Sequence, residues 1–388
     1  MESSYDPTDF LSHGLKRLVD DIDASVRNEV FGLDHVVCGF SDLASFNEDH
    51  VEYCGVDVVA LVETLPFEGV IWLLLTGHPP TEDQLADTAA ILRESRVVDQ
   101  AVIESFSSLP LRTRPLEMLP LAVSMLCCFD PTHLDQAPAA TRSRVLRLLA
   151  QLPVLLSATL DGTMSTEDAA DNPIRPSLAA SILMTARGSR HVREQETEVN
   201  PSEEDAINAV LICQCLTELR PACFAARFFG STVEDTAPSL QSAMSMYVAQ
   251  MRNDPYEWIC RNLRSFETAN AAQEWLLSRQ EQTLPFGFSR DPSDPRSMIL
   301  SDVSHQLLGC PERIRRAACA QRLERLMVKS GWYPTMDWHT SVVLTLLDVP
   351  PERTALVIAL SRMAGWAAQA IDQSTSGISL LPQLQYST

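Results

Sequence analysis

After Pro350 and Pro351 the chain carries Leu356, Leu360, Met363 and Ala367 at helical spacing with little polar relief between them. A helix that is apolar around most of its girth has no face to give to water, so other elements must enclose it. Further helices are signalled upstream. Thr81-Glu-Asp-Gln84, after Pro79-Pro80, is a capping box in which the threonine oxygen takes an orphan amide and Gln84 reaches back. Leu85, Ala89 and Leu92 follow it at helical spacing. Asn200-Pro-Ser202-Glu-Glu-Asp opens another helix, with Ser202 read as its cap and acids that suit the helix dipole. Strand-like alternation is confined to short pieces near residues 36–40 and 51–56. The expected fold class is all-α.

At 388 residues the chain can bury a substantial core without disulfide or metal staples. Its formal net charge of −21 argues against a nucleic-acid partner, and an anionic ligand would need arginines gathered locally against that field. The ten cysteines show no CxxC spacing and the eight histidines no ligand pairing, so they read as reduced core thiols and no metal site is expected. The acidic start has no apolar stretch of signal length, and Val70-Ile-Trp-Leu-Leu-Leu75 reads as a core helix rather than a membrane span. No membrane partner and a cytoplasmic location are the resulting expectations. Polar loops are expected near residues 160–177 and 188–200. Arg313, Arg315, Arg316, Arg322, Arg325 and Lys329 form a basic helix, read as a solvated face because Glu312 and Glu324 interrupt it. Nucleotide loops and a GxSxG elbow are absent.

Tyr333-Pro-Thr-Met-Asp337-Trp-His339-Thr-Ser, followed by the apolar helix with Leu360-Ser-Arg362-Met-Ala-Gly365-Trp366, resembles the end of the citrate synthase and 2-methylcitrate synthase family. Phe67-Glu-Gly-Val-Ile-Trp-Leu-Leu-Leu75-Thr-Gly77-His-Pro-Pro80, Gly32-Leu33 and Tyr53-Cys54-Gly55 resemble scaffold motifs of the same family. The resemblance implies a large helical domain from residues 1–225 and 331–388, a smaller inserted helical domain at 226–330, a ligand cleft between them and a homodimer. It also implies an acyl-CoA as substrate or ligand, a small anionic co-ligand and no tightly bound cofactor. In the family a Tyr-Pro-Asn-Val-Asp segment presents the Asp that takes a proton from the acetyl-CoA methyl, which places that role on Asp337.

Three further family segments carry histidines, and this chain matches each with another residue. Leu216-Thr217-Glu-Leu-Arg220 stands where Asp-His-Glu-Leu-Asn is usual, putting Thr217 at the histidine that holds the 2-oxoacid. Ala249-Gln-Met-Arg252-Asn-Asp-Pro-Tyr-Glu257 stands for Gly-Pro-Leu-His-Gly-Gly-Ala-Asn-Glu, putting Arg252 at the histidine that steadies the enol oxygen. Pro285-Phe286-Gly-Phe-Ser289-Arg290, with Asp294-Pro-Arg296 beyond it, puts Ser289 at the histidine that polarises the ketone. The end, Pro382-Gln383-Leu-Gln-Tyr386, lacks both arginines of the family's Arg-Pro-Arg-x-x-Tyr. Arg220, Arg252, Arg290, Arg296 and His339 are the candidate ligand-binding residues.

Three readings remain open. The first is a family member that has lost ordinary citrate synthase catalysis and binds a ligand or partner. The second is a divergent enzyme that condenses an acyl-CoA with a 2-oxoacid, using Asp337 as base and Arg220, Arg252, Arg290 or His339 as replacement donors. The third is a structural subunit that pairs with an active paralogue.

Overall fold

The computed structural model describes residues 36–47, 49–110, 113–161, 177–188, 199–233, 235–278, 287–291 and 294–382. Gly32-Leu33, Phe286, Gln383 to Tyr386 and most of the two polar loops lie outside the described residues. Ser41–Thr388 forms one compact unit. It begins with a three-stranded antiparallel sheet, β1 (Ala44–Phe46), β2 (Val51–Tyr53) and β3 (Val56–Asp57). The first helices are α1 (Val58–Thr64), α2 (Phe67–Thr76), α3 (Glu82–Glu94), α4 (Gln100–Ser107), α5 (Pro115–Cys128) and α6 (Pro138–Asp161). Then come α7 (Leu178–Arg187), α8 (Pro201–Cys215), α9 (Pro221–Thr232), α10 (Thr236–Gln250), α11 (Pro255–Ser265) and α12 (Ala269–Ser278). The rest comprises β4 (Phe288–Ser289), α13 (Pro295–Gln306), α14 (Pro311–Lys329), β5 (Tyr333–Pro334), α15 (Met336–Leu346) and α16 (Thr354–Ser376).

The fold is all-α in class, with the small sheets serving as corners. Helix α16 lies at its centre, packed against α8, α9, α10 and α2, and Leu356, Leu360, Met363 and Ala367 are all buried. Its approach to α8 is close enough to require glycine: a Cβ on Gly365 would come within 1.9 Å of the Cys215 carbonyl oxygen. Ser361 reinforces the crossing by donating from Oγ to the Leu211 carbonyl at 2.6 Å.

Local signals explain most helix starts. The capping box at Thr81 and Gln84 forms as expected. The cap of α8 is Asn200, not Ser202. Its side chain accepts from the Glu203 amide, and Pro201 fills the first helical position, where no amide bond is needed. No strand forms at 36–40, and the first strand lies at Ala44–Phe46 instead. Cys54 and Gly55, both at positive φ (+48° and +76°), turn β2 into β3. The expected domain boundary after residue 225 falls inside α9.

Two helices, Pro138–Leu160 and Pro351–Ser376, are long and apolar enough to cross a membrane by length and composition alone. The second is 89 % buried over its most apolar stretch, so its apolar surface is already enclosed by protein.

The basic helix α14 is tied inward rather than merely solvated. Arg313 pairs with Glu203, Arg316 with Asp348 at 2.5 Å and Glu312 at 2.9 Å, and Arg322 donates to Gln273 at 2.7 Å. Glu203, on the first turn of α8, also receives Arg187 at 2.8 Å. Burial alone would raise the Glu203 carboxyl, but the hydrogen bonds and charges of Arg187 and Arg313 override it and hold it below the usual carboxylate range. A group depressed in this way adds stability above its unfolded pKa of about 4.3, and that stability is lost as pH falls through the folded value. Glu203→Gln leaves two guanidiniums without their carboxylate and is expected to cost about 3 kcal/mol at pH 7. Urea unfolding at pH 7 and pH 4 should show a smaller acid-induced loss in the variant than in the wild type. Equal losses in the two would contradict this assignment.

Candidate functional site

A cleft of about 530 Å³ opens among the β1–β2 hairpin, the exit of α8, the start of α11, β4, and the N-terminal turns of α13 and α15, with α16 as its back wall. Thr217, Arg220, Ser289, Arg296 and Asp337 all line it, so five of the sequence-derived candidates converge. Asp337 sits in the first turn of α15, where the helix dipole favours a negative charge. Its Oδ1 accepts from the Tyr256 hydroxyl at 2.7 Å and, more weakly, from Gln214 Nε2 at 3.4 Å.

Behind this carboxylate is a closed polar ring. Arg362 Nη2 donates to the Tyr256 oxygen at 3.1 Å and to Gln214 Oε1 at 2.9 Å, while Gln214 Nε2 donates to Thr340 Oγ1 at 2.8 Å. Burial, and then the adjacent Asp337 charge, push the Tyr256 phenol well above its ordinary pKa, so it is a neutral donor across the physiological range.

Thr217 and Ser289 are short hydroxyls engaged with neighbouring backbone. Thr217 Oγ1 donates to the Glu218 carbonyl at 3.2 Å and lies 3.5 Å from Cys223 Sγ, and Ser289 Oγ accepts from the Asp291 amide at 3.1 Å. Arg296 grips Asp294 with both Nε and Nη2, at 3.0 and 2.9 Å. Its Nη1 reaches the carbonyls of Leu216 and Cys213 at 2.8 and 3.3 Å, so it also closes the C-terminal end of α8.

The other three candidates lie away from the cleft lining. Arg252 is exposed on a short 3-10 turn, and its neighbour Met251 faces the cleft. Arg290 lies over the Trp332 ring at 4.6 Å. His339 follows Asp337 by two residues, which on an α-helix is a rotation of about 200°. It is buried on the far side of α15, with Nδ1 2.8 Å from Ser297 Oγ and Nε2 3.3 Å from Glu324 Oε2, beside a separate cavity of about 280 Å³. Among the described residues no group of three His, Cys, Asp or Glu side chains is placed to hold a metal ion.

Sequence reasoning missed Tyr256, Gln214 and Arg362 as site residues. Signals for all three exist. Asp254-Pro255 reads as an N-cap followed by proline at the first helical position, which puts Tyr256 on the same inward face as Ile259, Cys260 and Leu263. Gln214 and Arg362 are polar residues set into apolar helical runs, where burial demands partners.

Asp254 accepts from the amides of Tyr256 and Glu257 at 2.9 and 3.0 Å and so fixes the start of α11. Burial pushes its carboxyl up to about 6 despite these bonds. Because the folded value exceeds the unfolded one of about 3.9, the folded state favours the protonated form, and stability falls as pH rises through 4 to 6. Asp254→Asn keeps the cap acceptor without the charge, so it should stabilise the protein by roughly 1 kcal/mol at pH 7.5. Thermal melts should show that gain shrinking toward pH 4. A variant less stable than wild type at pH 7.5 would show that the ionised cap is favourable after all.

The family model described as citrate synthase, C-terminal domain, matches residues 32–381. Citrate synthase 2 of Bacillus subtilis is 25 % identical over 365 residues, covering 92 % of this chain and 95 % of that protein. 2-Methylcitrate synthase 1 of Corynebacterium glutamicum is 25 % identical over 379 residues, covering 94 % and 96 %. The fold is shared with the ternary complex of carboxymethyl coenzyme A and oxaloacetate with citrate synthase from Thermoplasma acidophilum, with a TM-score of 0.77 at 20 % identity over 93 % of this chain and 96 % of that one. Citrate synthase from Pyrobaculum aerophilum aligns with a TM-score of 0.75 at 20 % identity, covering 93 % and 94 %.

Proposed function

The chain belongs to the citrate synthase family, and from that premise we propose that it joins an acyl-CoA to a 2-oxoacid in the cleft, with Asp337 as the base and Tyr256 in place of the missing imidazole donors. The observation that carries this reading is the 2.7 Å hydrogen bond from the Tyr256 hydroxyl to Asp337 at the cleft wall, backed by Arg362. Asp337 takes a proton from the carbon next to the thioester carbonyl. The enolate so formed needs a neutral donor in the same step, and a preorganised donor of this kind is commonly worth about 3–4 kcal/mol. As the proton moves onto Asp337 its hold on the phenol weakens, and Tyr256 turns its hydroxyl to the developing enolate oxygen within that step. Arg362 holds the phenol oxygen in place throughout. The enolate carbon then attacks the 2-oxo carbon, whose oxygen takes the carbonyl electron pair and the proton held by Asp337, and water cleaves the thioester to leave a carboxylate and free CoA thiol.

A second reading has its own supporting observation. No histidine is among the described cleft-lining residues, and Thr217 and Ser289 are short hydroxyls bonded to nearby backbone. Loss of those donors suits a binding protein without turnover. Release of CoA can be followed with a thiol reagent across acetyl-CoA and propionyl-CoA, each with several 2-oxoacids. The condensing reading expects release that requires the 2-oxoacid, a fall of about 100-fold or more in Asp337→Ala and a fall of about 100-fold in Tyr256→Phe. Binding of both ligand classes with no release from any pair would leave the second reading standing.

We propose in addition that the protein is a homodimer. Leu121, Phe229, Val233 and Met246 are exposed apolar residues on α5, on α10 and at the end of α9, and α10 packs against the other two helices. Light scattering at micromolar concentration should give twice the 43.0 kDa chain mass, and a monomer there would refute the proposal.

A further inference from the structure

His339 lines the second cavity, of about 280 Å³, which is bounded by the end of α13, one face of α14 and the side of α15 away from the cleft. Its neighbours fix where its hydrogen sits. Ser297 has a single hydroxyl hydrogen and donates it to the Pro334 carbonyl at 3.0 Å, so the 2.8 Å contact between Ser297 Oγ and His339 Nδ1 is a bond donated by the imidazole. A neutral imidazole with its hydrogen on Nδ1 presents a bare lone pair at Nε2. That nitrogen stands 3.3 Å from Glu324 Oε2, and a carboxylate only accepts. Two acceptors therefore confront each other at the cavity wall with no donor between them. Because His339 is buried, an unmatched acceptor there is costly, and the pair suits a ligand that brings several N–H groups.

Another part of the lining offers donors. Arg325 Nη2 donates to Gln321 Oε1 at 3.4 Å, and the other nitrogens of this exposed guanidinium have no partner among the described residues. With its carbonyl turned to Arg325, Gln321 donates from Nε2 to His305 Nε2 at 3.0 Å, which leaves the His305 hydrogen on Nδ1. Among the described lining residues Glu324 is the one carboxylate and Arg325 the one guanidinium. A ligand with one positive and one negative group matches both, whereas a simple anion or cation leaves one unanswered. Ala317, Ala320 and Val342 add a small apolar wall. At the roughly 30 Å³ that a water molecule occupies in the liquid, the cavity suits an occupant of about nine non-hydrogen atoms.

We propose that this cavity is a binding site for a small zwitterionic amino acid. Its ammonium donates to His339 Nε2 and to Glu324, and its carboxylate accepts from Arg325. The site is separate from the cleft and does not rest on the condensing reading. His339 and Asp337 nevertheless share the first turns of α15, so an occupant holds from behind the segment that presents Asp337 to the cleft.

Calorimetric titration of the full chain at about pH 8, above the ordinary imidazole range, is the test, with L-alanine, β-alanine and 4-aminobutyrate as probes. Propionate and propylamine each carry one of the two charges and serve as references. At least one amino acid is expected to bind about 10-fold or more tightly than either reference, since each lost charge-assisted hydrogen bond is worth about that factor. Arg325→Gln, at an exposed position, removes the partner of the carboxylate and should weaken that amino acid about 10-fold. Glu324→Gln should do the same, because its amide removes the negative charge and itself supplies the hydrogen that His339 Nε2 lacks. Where that variant fails to fold by circular dichroism, Arg325→Gln decides alone. No binding of any amino acid at millimolar concentration, or binding no tighter than that of the references, would show that a proton alone closes the His339–Glu324 pair and would overturn the proposal. Binding left unchanged by the variants would place the ligand elsewhere and overturn it equally.

Discussion

The carbonyl end of α8 is the point on which the rest of the molecule hangs. A helix leaves its last carbonyls without internal partners, and burying such an end requires donors from elsewhere. Here Tyr53 Oη lies 3.2 Å from the carbonyls of Ile212 and Cys213, and Arg296 donates to those of Cys213 and Leu216. The Cys215 carbonyl is pressed against α16 at Gly365. One helix terminus thus binds a strand from the beginning of the chain, the turn that opens α13 and the central helix near the end. The segment from Thr217 to Arg220 leaves from this junction and forms one wall of the cleft, so the cleft inherits its shape from how the terminus is closed.

Much of the helical framework was legible because its signals are local. Thr81 and Gln84 cap a helix from within four residues, and the unrelieved apolar pattern at Leu356, Leu360 and Met363 can only belong to an enclosed helix. Errors arose where two local signals compete or where geometry rather than composition decides. Asn200 and Ser202 are both good caps, and only the preference of proline for the first helical position separates them. His339 is close to Asp337 in sequence yet faces the opposite way, because helical rotation carries it to the other side of α15.

The site itself was half legible. Resemblance to family segments brought Thr217, Ser289, Arg296 and Asp337 to one cleft, because those segments keep their length relative to the elements that carry them. It could not reveal Tyr256. The local cap signal puts that residue on an inward face, but its partner Arg362 is 106 positions away, and local pattern does not say which buried polar groups will meet. The segment around Arg252 also changes its backbone. With Asp254-Pro255 starting a helix, the place held by a glycine turn in the family becomes a 3-10 turn, and counting residues along it no longer follows position in space. The polar group nearest Asp337 is accordingly a phenol. An imidazole changes charge close to neutral pH, whereas a buried phenol beside a carboxylate does not.

Arg296 belongs both to the cleft and to the closing of α8, and the two duties differ in how freely they can change. Any replacement there would strip donors from two buried carbonyls before it altered ligand choice, so folding holds that wall fixed. Met251, Met336 and the short hydroxyls of Thr217 and Ser289 carry no comparable obligation. Diversification of such a scaffold is therefore lopsided: side chains on one side of the cavity can be exchanged at small cost to folding, while the Asp-Pro-Arg signature on the other is kept in place by the helix end it closes.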